Sequence, residues 1–142
     1  MKLFKLASVV ACVVLTGCTA VTVKPVANMS ELLHVCIQDN PKVQVIDFVP
    51  VVQEGFERHG ISSEIVSGKM PTHCEYILTY SARRTWDIVT YLSQAELSLK
   101  RSGREVASAN YHLRNKGGLA LNKWKGTKAK IDPVMDELLG GR

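Results

Sequence analysis

Cys74-Glu75-Tyr76-Ile77-Leu78-Thr79-Tyr80-Ser81-Ala82-Arg83-Arg84 decides the fold class. Tyr76, Leu78, Tyr80 and Ala82 fall on one side of an extended backbone, and Glu75, Ile77, Thr79, Ser81 and Arg83 on the other. That period of two belongs to a sheet with one buried side. Arg84 to Asp87 reads as the turn that follows. Beyond it, Thr90 to Lys100 directs Ala95, Leu97 and Leu99 inward, Ser102-Gly103 offers a tight turn, and Glu105 to Leu113 aligns Ala107, Ala109, Tyr111 and Leu113. These two stretches form an antiparallel hairpin. Upstream, Leu32 to Gln38 reads as a first strand, Asp39-Asn40-Pro41 as a turn, and Ile61 to Ser67 as a weaker strand closed by Gly68-Lys69-Met70-Pro71.

Two segments change period. Phe48, Val51, Val52, Gly55, Phe56 and His59 recur at helical spacing, with Asp47 placed to cap, Pro50 in the first turn and Gly60 at the stop. Ile131, Val134, Met135, Leu138 and Leu139 repeat the pattern ahead of Gly140-Gly141. Pro133 either starts this helix or kinks it if the helix begins near Thr127. The expectation is an α+β fold, a mostly antiparallel or mixed sheet of about five strands with two helices packed on one face, as one domain over residues 31–142.

The start of the chain speaks to location. Lys2 and Lys5 precede an apolar stretch, Leu6 to Leu15, too short to span a bilayer, for which roughly 20 residues are needed. It closes on Leu15-Thr16-Gly17-Cys18, which resembles the lipobox of bacterial lipoproteins. The resemblance implies cleavage after residue 17, a diacylglycerol on the Cys18 thiol and an acylated new amino terminus. In such proteins Asp directly after the lipidated cysteine favours the inner membrane; Thr19 here implies the outer membrane, facing the periplasm. Each buried methylene contributes about 0.8 kcal/mol, so several chains anchor stably. An ordinary secreted protein with an incidental Cys18 is the alternative. Residues 18–30, with Lys24-Pro25 and no periodicity, read as a tether reaching on the order of 35 Å.

Losing Lys2 and Lys5 with the leader lowers the net charge from +5 to +3. The charge is uneven: Lys100, Arg101, Arg104, Arg114, Lys116, Lys123, Lys125, Lys128 and Lys130 meet one acid, Glu105, over that span. Such a strip suits anionic lipid head groups, peptidoglycan carboxylates or an acidic protein, whereas nucleic acid is absent from the periplasm.

With Cys12 removed and Cys18 lipidated, Cys36 and Cys74 remain. In an oxidising compartment the simpler reading is one disulfide, closing a loop of about 38 residues and contributing roughly 3 to 4 kcal/mol. The rival is zinc held by His34, Cys36, His73 and Cys74. Adjacent residues on extended backbone point apart, which makes His73 and Cys74 poor joint ligands, so no metal site is assigned.

No nucleophile elbow surrounds Ser93 or Ser98, Gly117-Gly118 leads to no Walker lysine, and the histidines sit in separate elements. Asp87 with Glu96 is a carboxylate pair without distinguishing features. No enzyme and no cofactor is expected. Two clusters suit a partner: Arg83, Arg84, Trp86 and Asp87 mix cations, an indole and a carboxylate, and Lys123, Trp124 and Lys125 set an aromatic between cations. Against each stands a tryptophan that merely fills core.

The succession of elements is similar to that of several small envelope lipoproteins and the amino-terminal domain of the translocation protein TolB. Over most of the mature chain, Tyr80-Ser81-Ala82-Arg83-Arg84-Thr85-Trp86-Asp87, Tyr91-Leu92-Ser93-Gln94-Ala95-Glu96-Leu97, Tyr111-His112-Leu113, Gly117-Gly118-Leu119 and Lys123-Trp124, with Cys36 and Cys74, resemble a family of short Gram-negative lipoproteins. That family brings no catalytic residue with it. The function expected is a non-catalytic binding or assembly-accessory module for an envelope protein. The alternatives are a module for anionic peptidoglycan or lipid head groups using the basic strip, and a metal-dependent hydrolase.

Overall fold

The computed structural model describes residues 19–114 and 121–140. Its elements are β1 (Thr19–Lys24), β2 (His34–Gln38), α1 (Phe48–Arg58), β3 (Ser62–Val66), β4 (Tyr76–Asp87), β5 (Val89–Arg101), β6 (Arg104–Leu113) and α2 (Thr127–Leu138), with 3-10 turns at Met29–Glu31 and Leu121–Trp124. The leader, Cys18, Lys116, the Gly117-Gly118 break and Gly141 lie outside the described residues.

The strands form one mixed sheet in the order β1-β6-β5-β4-β2-β3. β4, β5 and β6 are antiparallel neighbours joined by tight turns. β2 runs parallel to both β3 and β4, because α1 carries the chain from the end of β2 back to the start of β3 and so prevents a hairpin. The alternation read from the sequence holds residue by residue. Tyr76, Leu78, Tyr80 and Ala82 of β4, Ala95, Leu97 and Leu99 of β5, and Ala107, Ala109, Tyr111 and Leu113 of β6 are buried in one core with Phe48, Val52 and Phe56 of α1 and Ile131, Met135 and Leu138 of α2. Both helices therefore lie on the same face of the sheet.

The helices touch closely where side chain is missing. A Cβ on Gly55 would stand 2.8 Å from Cγ of Met135, so glycine at this position lets α1 and α2 approach. Outside that contact, Arg58 pairs with Asp136 at 2.6 Å and Asp132 at 3.3 Å, and Lys128 with Glu54 at 2.6 Å and Asp132 at 2.8 Å. Such exposed pairs contribute under about 1 kcal/mol each and act more on orientation than on stability. Pro133 sits inside α2, where it removes the bond to the Ala129 carbonyl.

Four expectations are corrected. The sheet has six strands, and the additional one comes from the segment read as a tether: Thr19 to Lys24 pairs in register with Leu113 to Ser108. Val23 packs against the core, and the Val26 amide donates to the Leu138 carbonyl at 2.8 Å, so this segment is bound to the domain. Thr19, Val21 and Val23 share one side and Ala20, Thr22 and Lys24 the other, with no charged residue before Lys24 to give contrast. The Arg84–Asp87 turn is instead strand: β4 bulges between Arg83 and Arg84 and runs on to Asp87. Asp47 does not cap α1 with its side chain; its carboxylate accepts from Arg84 at 2.9 Å. Leu32, buried at the core, precedes β2 rather than opening it.

Candidate functional site

The β4–β5 tip joins the two clusters that the sequence keeps 36 residues apart. Lys123 Nζ meets Asp87 Oδ2 at 2.5 Å, and the Trp124 indole N–H donates to the Asp87 carbonyl at 3.0 Å. The strands are linked through a single residue, Ile88, at φ +68°, a left-handed conformation that a β-branched side chain adopts only under strain. Trp86 is 73% exposed, Ile88 76% and Val89 52%, and Trp124 borders them. Trp86 thus does not fill core. Arg83 is exposed further back along β4, and Arg84 is engaged with Asp47.

The sheet register sets where this tip points. Ala20, His112, Gln94 and Arg83 form one row across β1, β6, β5 and β4. At about 3.3 Å per residue, the five residues from Gln94 back to Val89 project the tip roughly 15 Å past that row. Ala20 is the second residue of β1, so the start of β1 and the apolar tip share one end of the sheet.

The basic strip does not stay together. Lys123 and Lys130 are buried, Arg101 is held by Glu31 at 2.6 Å and Glu75 at 2.5 Å, and Lys128 belongs to the helix network. Lys130 donates to the carbonyls of Leu92 and Lys123 and lies 5.2 Å from the centre of the Tyr91 ring. Burial pushes its ammonium down to about 8. It pins the 3-10 turn carrying Lys123 and Trp124 against β5. Lys125 remains exposed at the surface.

The opposite end holds the second cluster. Parallel pairing sets His34 beside Ser62 and Cys36 beside Glu64, all on the sheet face away from the helices. Cys36 is bonded to Cys74, S–S 2.02 Å, across a separation of 38 residues, as the sequence suggested. The zinc set containing both thiols is therefore not formed. The disulfide nevertheless draws the loop ahead of β4 back over β3, and His73 reaches Glu64: its Nε2 is 2.5 Å from Oε1, and His34 Nε2 is 2.9 Å from the same oxygen. Hydrogen bonds from His73 and then His34 hold the Glu64 carboxyl below its ordinary range. His34 Nδ1 is 2.7 Å from Ser62 Oγ. Glu64 had no sequence signal; only the β2–β3 register connects it to His34. His59 is instead at the helix interface, 2.9 Å from Asp136, and His112 lies exposed on β6.

The architecture is that of an α+β domain whose two helices cover one face of an antiparallel-dominated sheet. No family model and no curated protein sequence matches the chain. Among solved structures it is similar to PelC of Paraburkholderia phytofirmans, a dodecamer. A leucine-to-methionine variant of PelC aligns with TM-score 0.54 and 14% identity over 82% of this chain and 97% of that one. PelC in a second crystal form aligns with TM-score 0.56 and 11% identity over 84% and 95%. At such identity the likeness is one of fold. No helix among the described residues is long and apolar enough to cross a membrane.

Proposed function

We propose that this chain is a lipoprotein anchored through Cys18 to the periplasmic face of the outer membrane, and that it works without catalysis as a binding or assembly-accessory module for an envelope protein. The observation that carries the reading is the β4–β5 tip. Trp86, Ile88 and Val89 are held out on a braced hairpin at the end of the sheet from which the anchored terminus departs. An apolar cluster of this kind, set beside the Asp87–Lys123 pair, has the composition of a protein hot spot, and its position directs it to a partner held at the same membrane. The PelC structures are dodecamers, so further copies of this chain are among the proteins to be sought.

The reading through anionic peptidoglycan or lipid head groups has less support, because four of the nine cations of the basic strip are buried or held in ion pairs. The test is cross-linking of the lipidated protein in intact cells, identification of the adducts by mass spectrometry, and repetition at high salt with Trp86→Ala. A protein adduct that resists salt and fades with Trp86→Ala supports the reading. Only sugar or lipid adducts that vanish in salt would transfer the function to the remaining cations.

A further inference from the structure

We propose that Nε2 of His34, a carboxylate oxygen of Glu64 and Nε2 of His73 form a site for one divalent transition-metal ion of the zinc class, built over the intact Cys36–Cys74 disulfide. The three residues come from β2, β3 and the loop before β4, and their ligand atoms lie within 4.8 Å of one another, together with the Cys36 sulfur beneath. Two imidazoles and a carboxylate are the donor set that suits zinc, and calcium, which takes six to eight oxygens, is poorly served by it.

The contacts converge on one atom. Nε2 of His34 lies 2.9 Å and Nε2 of His73 2.5 Å from the same Glu64 oxygen, so three potential ligand atoms from three elements crowd one point. Nδ1 of His34 lies 2.7 Å from Ser62 Oγ, whose hydroxyl also reaches the Leu33 carbonyl at 3.2 Å. When that hydroxyl accepts from Nδ1–H, Nε2 is the nitrogen offered to a metal, and such a second partner is one that a metal-bound histidine ordinarily keeps.

The fold supplies the preorganisation. The register fixes His34 and Glu64 two positions along neighbouring strands, and the disulfide holds Cys74, hence His73, over β3. Zinc bonds of about 2.0 to 2.1 Å put ligand atoms about 3.3 Å apart, so the two short contacts need to open by under about 1 Å. His73 is exposed enough for that movement, and the outward positions of the ion are left to water or an anion. The site is independent of the tip and of the membrane anchor.

The full chain, purified in detergent with its disulfide verified by intact mass, is titrated with zinc chloride near neutral pH. Stoichiometry is read by calorimetry, and the responding histidines by imidazole nitrogen NMR. The expected result is one zinc per chain, shifts at His34 and His73 alone, and no competition from calcium. Glu64→Gln and His73→Ala abolish the stoichiometric phase, Ser62→Ala weakens it by about tenfold, and His112→Ala leaves it unchanged. Near-ultraviolet dichroism shows that each variant is folded. Absence of saturable binding, shifts centred on His59 or His112, or binding indifferent to Glu64→Gln would overturn the site and leave a hydrogen-bonded network of two histidines and a carboxylate.

Discussion

At the distal end of β4, residues close together in sequence are pushed into solvent; at its beginning, residues far apart are drawn into contact. The tip is made largely from 86–89, with Trp124 brought alongside by Asp87 and Lys123, and its apolar groups stay exposed. The stapled edge is made from His34, Glu64 and His73, and depends on a parallel register and a covalent bond. One region is a local feature braced by the fold, and the other exists only because the fold is formed. Damage to long-range structure should therefore fall first on the edge.

The largest effect should come from Cys36→Ser with Cys74→Ser. Removing a closed loop of 38 residues costs about 3 to 4 kcal/mol in the loop-entropy picture, read as a lower denaturation midpoint. Below that midpoint, cross-linking through the tip should survive while zinc binding weakens. Equal loss at both ends would show that the two regions are one cooperative unit and break the comparison.

Trp86→Ala should act in the opposite sense. Because the side chain is 73% exposed, stability should stay within about 0.5 kcal/mol. Partner capture should fall by about 2 kcal/mol, roughly thirtyfold, if the indole is a hot spot. Unchanged capture would leave Trp86 an exposed side chain with no task and remove the observation on which the proposed function stands.

The same contrast explains what was legible in the sequence. Period-two and helical alternation mark which side chains face the core, and Tyr76 to Ala82, Ala95 to Leu99, Ala107 to Leu113, and Phe48 to Phe56 are buried as their spacing requires. Burial is a property of one strand or one helix against everything else, so a single sequence carries it. Pairing is a property of two segments. β1 was hidden because Thr19 to Lys24 declares its identity only against β6, and Glu64 because its meaning lies in what stands beside it on β2. The disulfide was legible by elimination among cysteines, but not its consequence of carrying His73 to Glu64. Arg84 to Asp87 reads as a turn in sequence because Arg84, Thr85 and Asp87 are polar; with the bulge at Arg83, the strand continues and the turn falls on Ile88.

Ile88→Gly gives a smaller and more diagnostic effect. Glycine adopts φ +68° without the steric cost an isoleucine bears there, and Ile88 is largely exposed, so little burial is lost with its side chain. Thermal unfolding should show a gain of about 1 kcal/mol, together with weaker partner capture. Strain maintained against stability would then be attached to the tip's function. A gain in stability with capture intact would separate the two and restrict the partner's footprint to the tryptophans.

The last effect is confined to alkaline pH, where single protons on Lys130 and Tyr111 are in play. Lys130 lies beneath the tip, its ammonium lowered to about 8 by burial against an ordinary 10.5. Between those values the folded protein has released the proton and the unfolded chain retains it, so unfolding takes up a proton and stability rises with pH. Tyr111 opposes this at the upper end. Burial raises its phenol from 10.0 to about 12, so above pH 10 the unfolded chain loses a proton that the folded one keeps, and stability falls. The expected profile climbs from about pH 8 to a maximum near 10. Lys130→Met should flatten the climb but leave the fall. Because Lys130 holds the turn bearing Lys123 and Trp124 through the Lys123 carbonyl, the same variant should loosen Trp124 and leave the His34, Glu64 and His73 resonances unmoved. Movement at that distant edge would mean that the sheet transmits what happens at its tip.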